Sequence, residues 1–250
     1  MRKFNVINKS TKVNAKEIEL MVEACRIQLN QHAAPLLERV SWEIEVGGND
    51  GFPVVLIDSP DVAGALGYHT QDPDGRVWCR VFTDPLLKHG GTPLRGTHSI
   101  SVVLSHEILE TFYNPYINLW SNRGDHTFVA LELCDPVQGD SYDIDVNGSP
   151  VSVSNFVLEA WFDREMNKAG RFDYMNKVKK PLEMSKGGYT VIFNSETGEV
   201  KSVFASKEGE DLHNLLKPGH PASRSSRNKN DCRMKASLAT CDEQLKLQGF

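Results

Sequence analysis

From Val102 to Pro115 the chain reads VVLSHEILETFYNP, a run too apolar for a solvated helix that nonetheless carries a histidine and two glutamates in its middle. Ile100, Val103, Leu104 and Ile108 recur at helical spacing. Asn114-Pro115 closes the segment, because the ring of Pro115 disfavours helix at and before itself. On such a helix His106 and Glu110 lie four apart and project from one face, about one turn apart. A charged group enclosed by apolar neighbours is costly unless something compensates it. Such a helix either turns its polar stripe to water or sits in a fold that encloses it and provides partners or a metal for its polar groups.

The pattern is HExxE, a variant of the HExxH zinc-hydrolase signature. His106 and Glu110 suit a divalent ion, and Glu107 points to the side of that face, where it can meet a metal-bound water. Further along, FVALELCDP places two more acids, Glu132 and Asp135, in an apolar run. On a helical turn these two share a face; on a strand they point to opposite faces. A metal would compensate Glu132, and so would a hydrogen bond to an arginine or to His106.

Before the central helix, Val13 to Glu17 reads as a helix start, with Asn14 as N-cap, Glu17 completing a capping box and Val13 available as a staple. Ile18, Met21, Val22, Cys25 and Leu29 then hold one face. Trp42, Ile44 and Val46 alternate as a half-buried strand, Gly47 to Gly51 is a turn, and Pro53 to Ile57 is a second strand. Gly64 to Gly75 reads as loop, and Arg76 to Phe82 as an ordinary sheet strand, although zinc peptidases in general use an edge strand beside the active helix to receive an extended substrate. His69, His89 and His98 read as loop histidines. Tyr116 to His126 is a polar loop. Tyr142 to Ser154 forms a hairpin on an Asn147-Gly148 turn, and Tyr189 to Phe204 forms another around Glu196-Thr197-Gly198. Asp140, Asp143 and Asp145 lack the ligand spacing of a calcium loop and fit a solvated hairpin face. Phe156, Trp161, Phe162, Phe172 and Tyr174 belong to the core.

A net charge of -5 argues against wholesale nucleic-acid binding. The first ten residues lack a hydrophobic signal core, and no apolar run is long enough for a bilayer. The five cysteines (Cys25, Cys79, Cys134, Cys232, Cys241) are odd in number and never spaced CxxC, as expected of free thiols in a reducing cytosol. Composition shifts near Ser206. Residues 1–205 read as one metal-binding domain and 206–250 as a flexible basic tail, with Met234 to Leu247 as a short helix. Within that tail Arg224, Arg227, Lys229, Arg233 and Lys235 face only Asp231, so nucleic-acid contact is not expected except through residues 224–235, which read equally as an interaction tail for a partner or an assembly or as a solvated, weakly ordered tail.

SHEILETFYNPYINLW followed by LELCDP resembles a group of phage and bacterial proteins with a zincin-like look, which carry SHExxE, then E-x-C-D, then a Tyr-Asp-Ile-Asp-type hairpin and a Trp-Phe pair. PLEMSKGGYTVIF is similar to a Gly-Gly-Tyr segment near their end, and the likeness covers residues 40 to 204. It implies an α+β, zincin-like fold: a mixed sheet packed on an N-terminal helix and a central HExxE helix, with added β-hairpins. It also implies one divalent ion, zinc by analogy, with manganese or another divalent ion admitted by the anionic ligand set. The ligands are then His106, Glu110 and Glu132, with Asp135 orienting His106 or replacing Glu132. The expected function is a metallopeptidase acting on a peptide or protein, with Glu107 as general base and Tyr113, Tyr142 or His126 as oxyanion or substrate contacts. The expected location is the cytoplasm, or a host cytoplasm or virion if phage-encoded. The alternative function is a non-catalytic phage structural, assembly or interaction protein on the same scaffold.

Overall fold

The computed structural model describes residues 2–61, 65–124, 126–163 and 170–205. The tail beyond 205, with its basic segment and expected helix, lies outside the described residues. The chain begins with β1 (Lys3–Asn8), α1 (Ala15–Ile27), a π-helical turn over Gln28–Ala33, α2 (Ala34–Leu36), β2 (Glu43–Val46) and β3 (Phe52–Ile57). It continues with β4 (Gly67–Gln71), β5 (Val77–Phe82), α3 (Thr83–Lys88) and α4 (Ile100–Tyr113). Then come β6 (Trp120–Gly124), β7 (Thr127–Ala130), a 3₁₀ turn over Asp135–Val137, β8 (Ser141–Val146), β9 (Ser149–Ser154), α5 (Glu159–Phe162), β10 (Tyr189–Asn194) and β11 (Val200–Phe204). The protein is α+β, and the described residues form few helices and three sheets.

The first sheet is five-stranded and mixed, in the order β2-β1-β3-β5-β4. All its pairings are parallel except β4 with β5, which is antiparallel. Phe4, Val6, Ile44, Val54, Leu56, Cys79 and Val81 share one core with Ile18, Met21 and Val22 of α1 and with Ile100, Leu104 and Ile108 of α4. One face of the sheet is thus covered by both helices, as strand alternation requires. Val55, Ile57, Tyr68, Trp78 and Phe82 form a second cluster of alternating residues. β5 is buried along its whole length, which suits an inner strand covered on two faces.

Helix α1 begins as its sequence predicts. Asn14 Oδ1 accepts from Glu17 N at 3.0 Å, and Glu17 Oε2 accepts from Asn14 N at 2.9 Å. Helix α4 starts at Ser99, whose hydroxyl accepts from Val102 N, and ends at Asn114, whose N–H reaches Glu110 O at 2.8 Å. Every residue of α4 except Val103 and His106 is buried. The hydroxyl of Ser105 donates to Val102 O at 2.9 Å and accepts from Ser154 N at 2.8 Å, fastening the helix to the end of β9. Both expected hairpins are present. The β8–β9 turn has Asn147 and Gly148 at φ 53° and 80°, the left-handed pair that a type I′ turn requires. Hairpin β10–β11 joins β7 and β6 in a four-stranded sheet.

The Gly47–Gly51 turn links strands that are not neighbours, because β1 lies between β2 and β3. Asn5, wholly buried, holds that turn by donating to Gly47 O at 2.9 Å and accepting from Gly51 N. The segment read as loop around Gly67-Tyr68-His69 is strand β4, at the edge of the mixed sheet, and β5 is interior. The polar stretch after α4 contains strand β6. The run 128–135 is neither wholly helix nor wholly strand: β7 ends at Ala130, and Glu132 falls in irregular chain before the 3₁₀ turn. Among the described residues, no helix is long and apolar enough to cross a membrane.

Candidate functional site

Three stretches of chain bring acids and imidazoles to one pocket. Helix α4 contributes His106, Glu107 and Glu110. The irregular segment after β7 contributes Glu132 and Asp135, and strand β4 contributes His69. Gly67, Val102, Val103, His98, Gln138 and Tyr189 complete much of the lining, and the cavity is about 120 Å³, room for several water molecules. Glu107, Glu110, Glu132 and Asp135 are each no more than 5% exposed, and His69 is 2% exposed. Among the described residues that line the pocket there is neither lysine nor arginine.

Glu110 lies at the junction. Its Oε1 is 3.2 Å from His106 Nε2 and accepts from the backbone N–H groups of Cys134 and Asp135, each at 3.3 Å. Its Oε2 faces the other way, 3.6 Å from His69 Nδ1. His106 Nε2 is also 3.3 Å from Asp135 Oδ1. On the other side, His69 Nδ1 is 3.5 Å from Glu107 Oε2, and its Nε2 is 3.9 Å from Glu132 Oε1. Two sets of donor atoms, His106–Glu110–Cys134 and His69–Glu107–Glu110, each lie within 4.8 Å of one another, close enough for one ion per set.

Local sequence explains how each group reaches its place. His69 and Gly67 are two apart on β4, so both face α4, and the register sets His69 opposite Cys79. Cys79 Sγ lies 3.1 Å from Thr111 Oγ1 against the same helix. A Cβ at Gly67 would stand 2.7 Å from Val103 Cγ1 and 2.9 Å from Glu107 Oε1, so only glycine lets the edge strand sit this close. Gly188 acts similarly on the far wall. A Cβ there would stand 2.0 Å from Pro136 O, and the missing side chain lets Tyr189 reach the 3₁₀ turn and hydrogen-bond Asp135.

The electrostatics follow from crowding acids in a dry place. Burial, reinforced by the charge of Glu110, pushes Asp135 up to about 6, against the pull of His106. Burial disfavours charge on His106, but Glu110, Cys134 and Asp135 outweigh it and raise its pKa well above the usual imidazole value. Burial and the nearby charges of Asp135 and Glu110 hold the Tyr189 phenol protonated.

Of the residues expected from sequence, His106, Glu107, Glu110, Glu132 and Asp135 all line the pocket. Asp135 lies against His106, a placement the expectation included, whereas Glu132 lies against His69 and not beside His106. The oxyanion candidates need correction, because Tyr113, Tyr142 and His126 lie outside this pocket. Tyr113 meets Glu159 at 3.3 Å with Arg39 over its ring, Tyr142 meets His32 Nδ1 at 2.9 Å, and His126 lies beside Ser195. The tyrosines that line the pocket are Tyr68, whose hydroxyl donates to Asp61, and Tyr189, which hydrogen-bonds Asp135. Sequence reasoning missed Tyr189 and His69; the only local signals were Gly187-Gly188 before the one and Gly67 before the other. Comparison with family models, with curated proteins and with solved structures returns no match to the chain.

Proposed function

We propose that this protein is a metal-dependent hydrolase of the metallopeptidase type, built on a zincin-like arrangement. One observation carries the reading: four buried carboxylates meet the imidazoles of His69 and His106 in a pocket that exposed His98 also lines and whose described lining has no lysine or arginine. Such a donor set fits a divalent cation, since buried carboxylates need compensation and nitrogen with oxygen donors suits zinc or manganese. His106, Glu110 and Asp135 would hold it, with Cys134 close by. A divalent ion held there would lower the pKa of a bound water from that of bulk toward about 7.

The residues of the chain supply the rest. Glu107, beside those ligands on α4, accepts a proton in the pocket and returns it to the leaving nitrogen. Tyr189 orients Asp135 through its hydroxyl. Strand β4 is last in the sheet order and runs beside α4, so an extended peptide adding to that edge passes over Glu107. The antiparallel edge strand next to the helix also supports the zincin-like reading of the fold.

Metal content and peptide hydrolysis, measured on wild type and on Glu107→Gln, test the proposal. We expect bound ion in both, and cleavage reduced at least 100-fold in the variant, the lower end of what a general base supplies. Equal cleavage by both proteins removes Glu107 as the base, and wild-type protein that binds ion without hydrolysing peptides removes the enzyme.

A further inference from the structure

We propose that the pocket takes a second divalent cation, held by His69, Glu107 and Glu110, and that this ion switches the hydrolase off. The inference rests on the reading of His106 and Glu110 as the first site. It starts from the two faces of Glu110. One oxygen lies 3.2 Å from His106 and the other 3.6 Å from His69, the disposition of a carboxylate that bridges two ions. The second donor set is complete without the first: His69 Nδ1, a Glu107 oxygen and a Glu110 oxygen lie within 4.8 Å of one another and are buried. It mixes imidazole and carboxylate, drawn from a strand and a helix whose separation Gly67 keeps short.

Charge points the same way. Glu107, Glu110, Glu132 and Asp135 bring four carboxyl groups into the pocket, and ligand histidines are neutral. With all four ionised, one divalent ion would leave two negative charges uncompensated and a second would neutralise the set. Bridged ions of this kind sit about 3.5–4 Å apart, a separation that a single carboxylate spans. The second ion must enter beside the first, so it binds more weakly and loads later. It also takes the Glu107 oxygen that faces His69, and a carboxylate engaged with a cation is a far weaker base for the proton that hydrolysis requires. Low metal would therefore activate and high metal inhibit.

Manganese titration of the full chain tests this, followed by bound-metal analysis and electron paramagnetic resonance. Wild type should bind two ions in sequence, and the second equivalent should replace the isolated-ion spectrum with that of an exchange-coupled pair. His69→Ala and the more conservative His69→Gln should each bind one ion, with no coupled spectrum and no inhibition by excess metal. Wild type that saturates at one ion overturns the second site and leaves the hydrolase standing. Two ions in both His69 variants overturn the assignment of His69, and no bound ion in wild type defeats both readings.

Discussion

The seat of strand β4 on helix α4 can be probed at one glycine. Gly67 has no side chain where a Cβ would stand 2.7 Å from Val103 Cγ1, 2.9 Å from Glu107 Oε1 and 3.0 Å from Arg80 O. Its backbone lies outside the left-handed region, so alanine brings no dihedral strain and the effect is steric. Carbon atoms rest about 3.5–4.0 Å apart, so the Val103 contact must open by roughly 0.8 Å or more. Arg80 O belongs to the neighbouring strand and cannot retreat without loosening the β4–β5 ladder. Overpacking of this kind costs about 1–3 kcal/mol, offset by about 0.4–1 kcal/mol from the stiffer unfolded chain. Gly67→Ala should therefore destabilise by about 1–2 kcal/mol, seen in calorimetry as a melting point roughly 2–8 °C lower. Val103→Ala removes the nearest contact, so the double variant should recover part of the loss relative to the sum of the singles. Gly67→Ala as stable as wild type, or with no coupling to Val103, would show that the strand does not lie against this turn of the helix.

Other expectations concern the supports of the fold. Asp58, half-buried, accepts from Thr11 N at 3.0 Å and Thr83 Oγ1 at 3.0 Å, with Ser10 beside it; burial raises its pKa, but these bonds outweigh it and bring the carboxyl from 3.8 to about 2. The depressed folded value means the stabilisation is present above pH 4, fades as pH falls through that interval, and is gone below about 2. After discounting for solvent screening, Asp58→Asn should cost about 1–2 kcal/mol at pH 7, and urea melts of the two proteins should converge near pH 2. Ser105→Ala strands the buried N–H of Ser154 and should cost about 1–3 kcal/mol in the same assay. Adding zinc or manganese at 100 times its dissociation constant should stabilise the protein by about 2.7 kcal/mol, an upward shift in melting that chelation reverses.

How much was legible in the sequence depended on how local each signal was. The capping box at Asn14 and Glu17, the periodicity of α1 and α4, and the Asn147-Gly148 turn are written within a few residues, and the structure contains each. Strand β4 is different. Its sequence GYHTQ is polar, and what makes it a strand is pairing with β5, which no local period announces. His69 was read as a loop histidine for the same reason. Glu132 and Asp135 could not be ranked by helix or strand alternation, because the chain between Ala130 and Asp135 follows neither period. Tyr113, seven residues after His106, lies about 10 Å beyond it along the helix and packs on Phe162. The group that enters the pocket, Tyr189, comes from far along the chain through the gap left by Gly188.

The two main-chain amides that grip Glu110 bear on how the protein is assembled. Small zinc modules often remain unfolded until the ion gathers their ligands, so metal supply governs whether they exist at all. Here a peptide turn aims its own dipoles at the central carboxylate, and α4 is walled in by hydrocarbon on nearly every side. On the proposed metal-binding reading, the chain would then fold without the ion and bind it reversibly. Availability of the element would regulate what the finished molecule does rather than whether it is made.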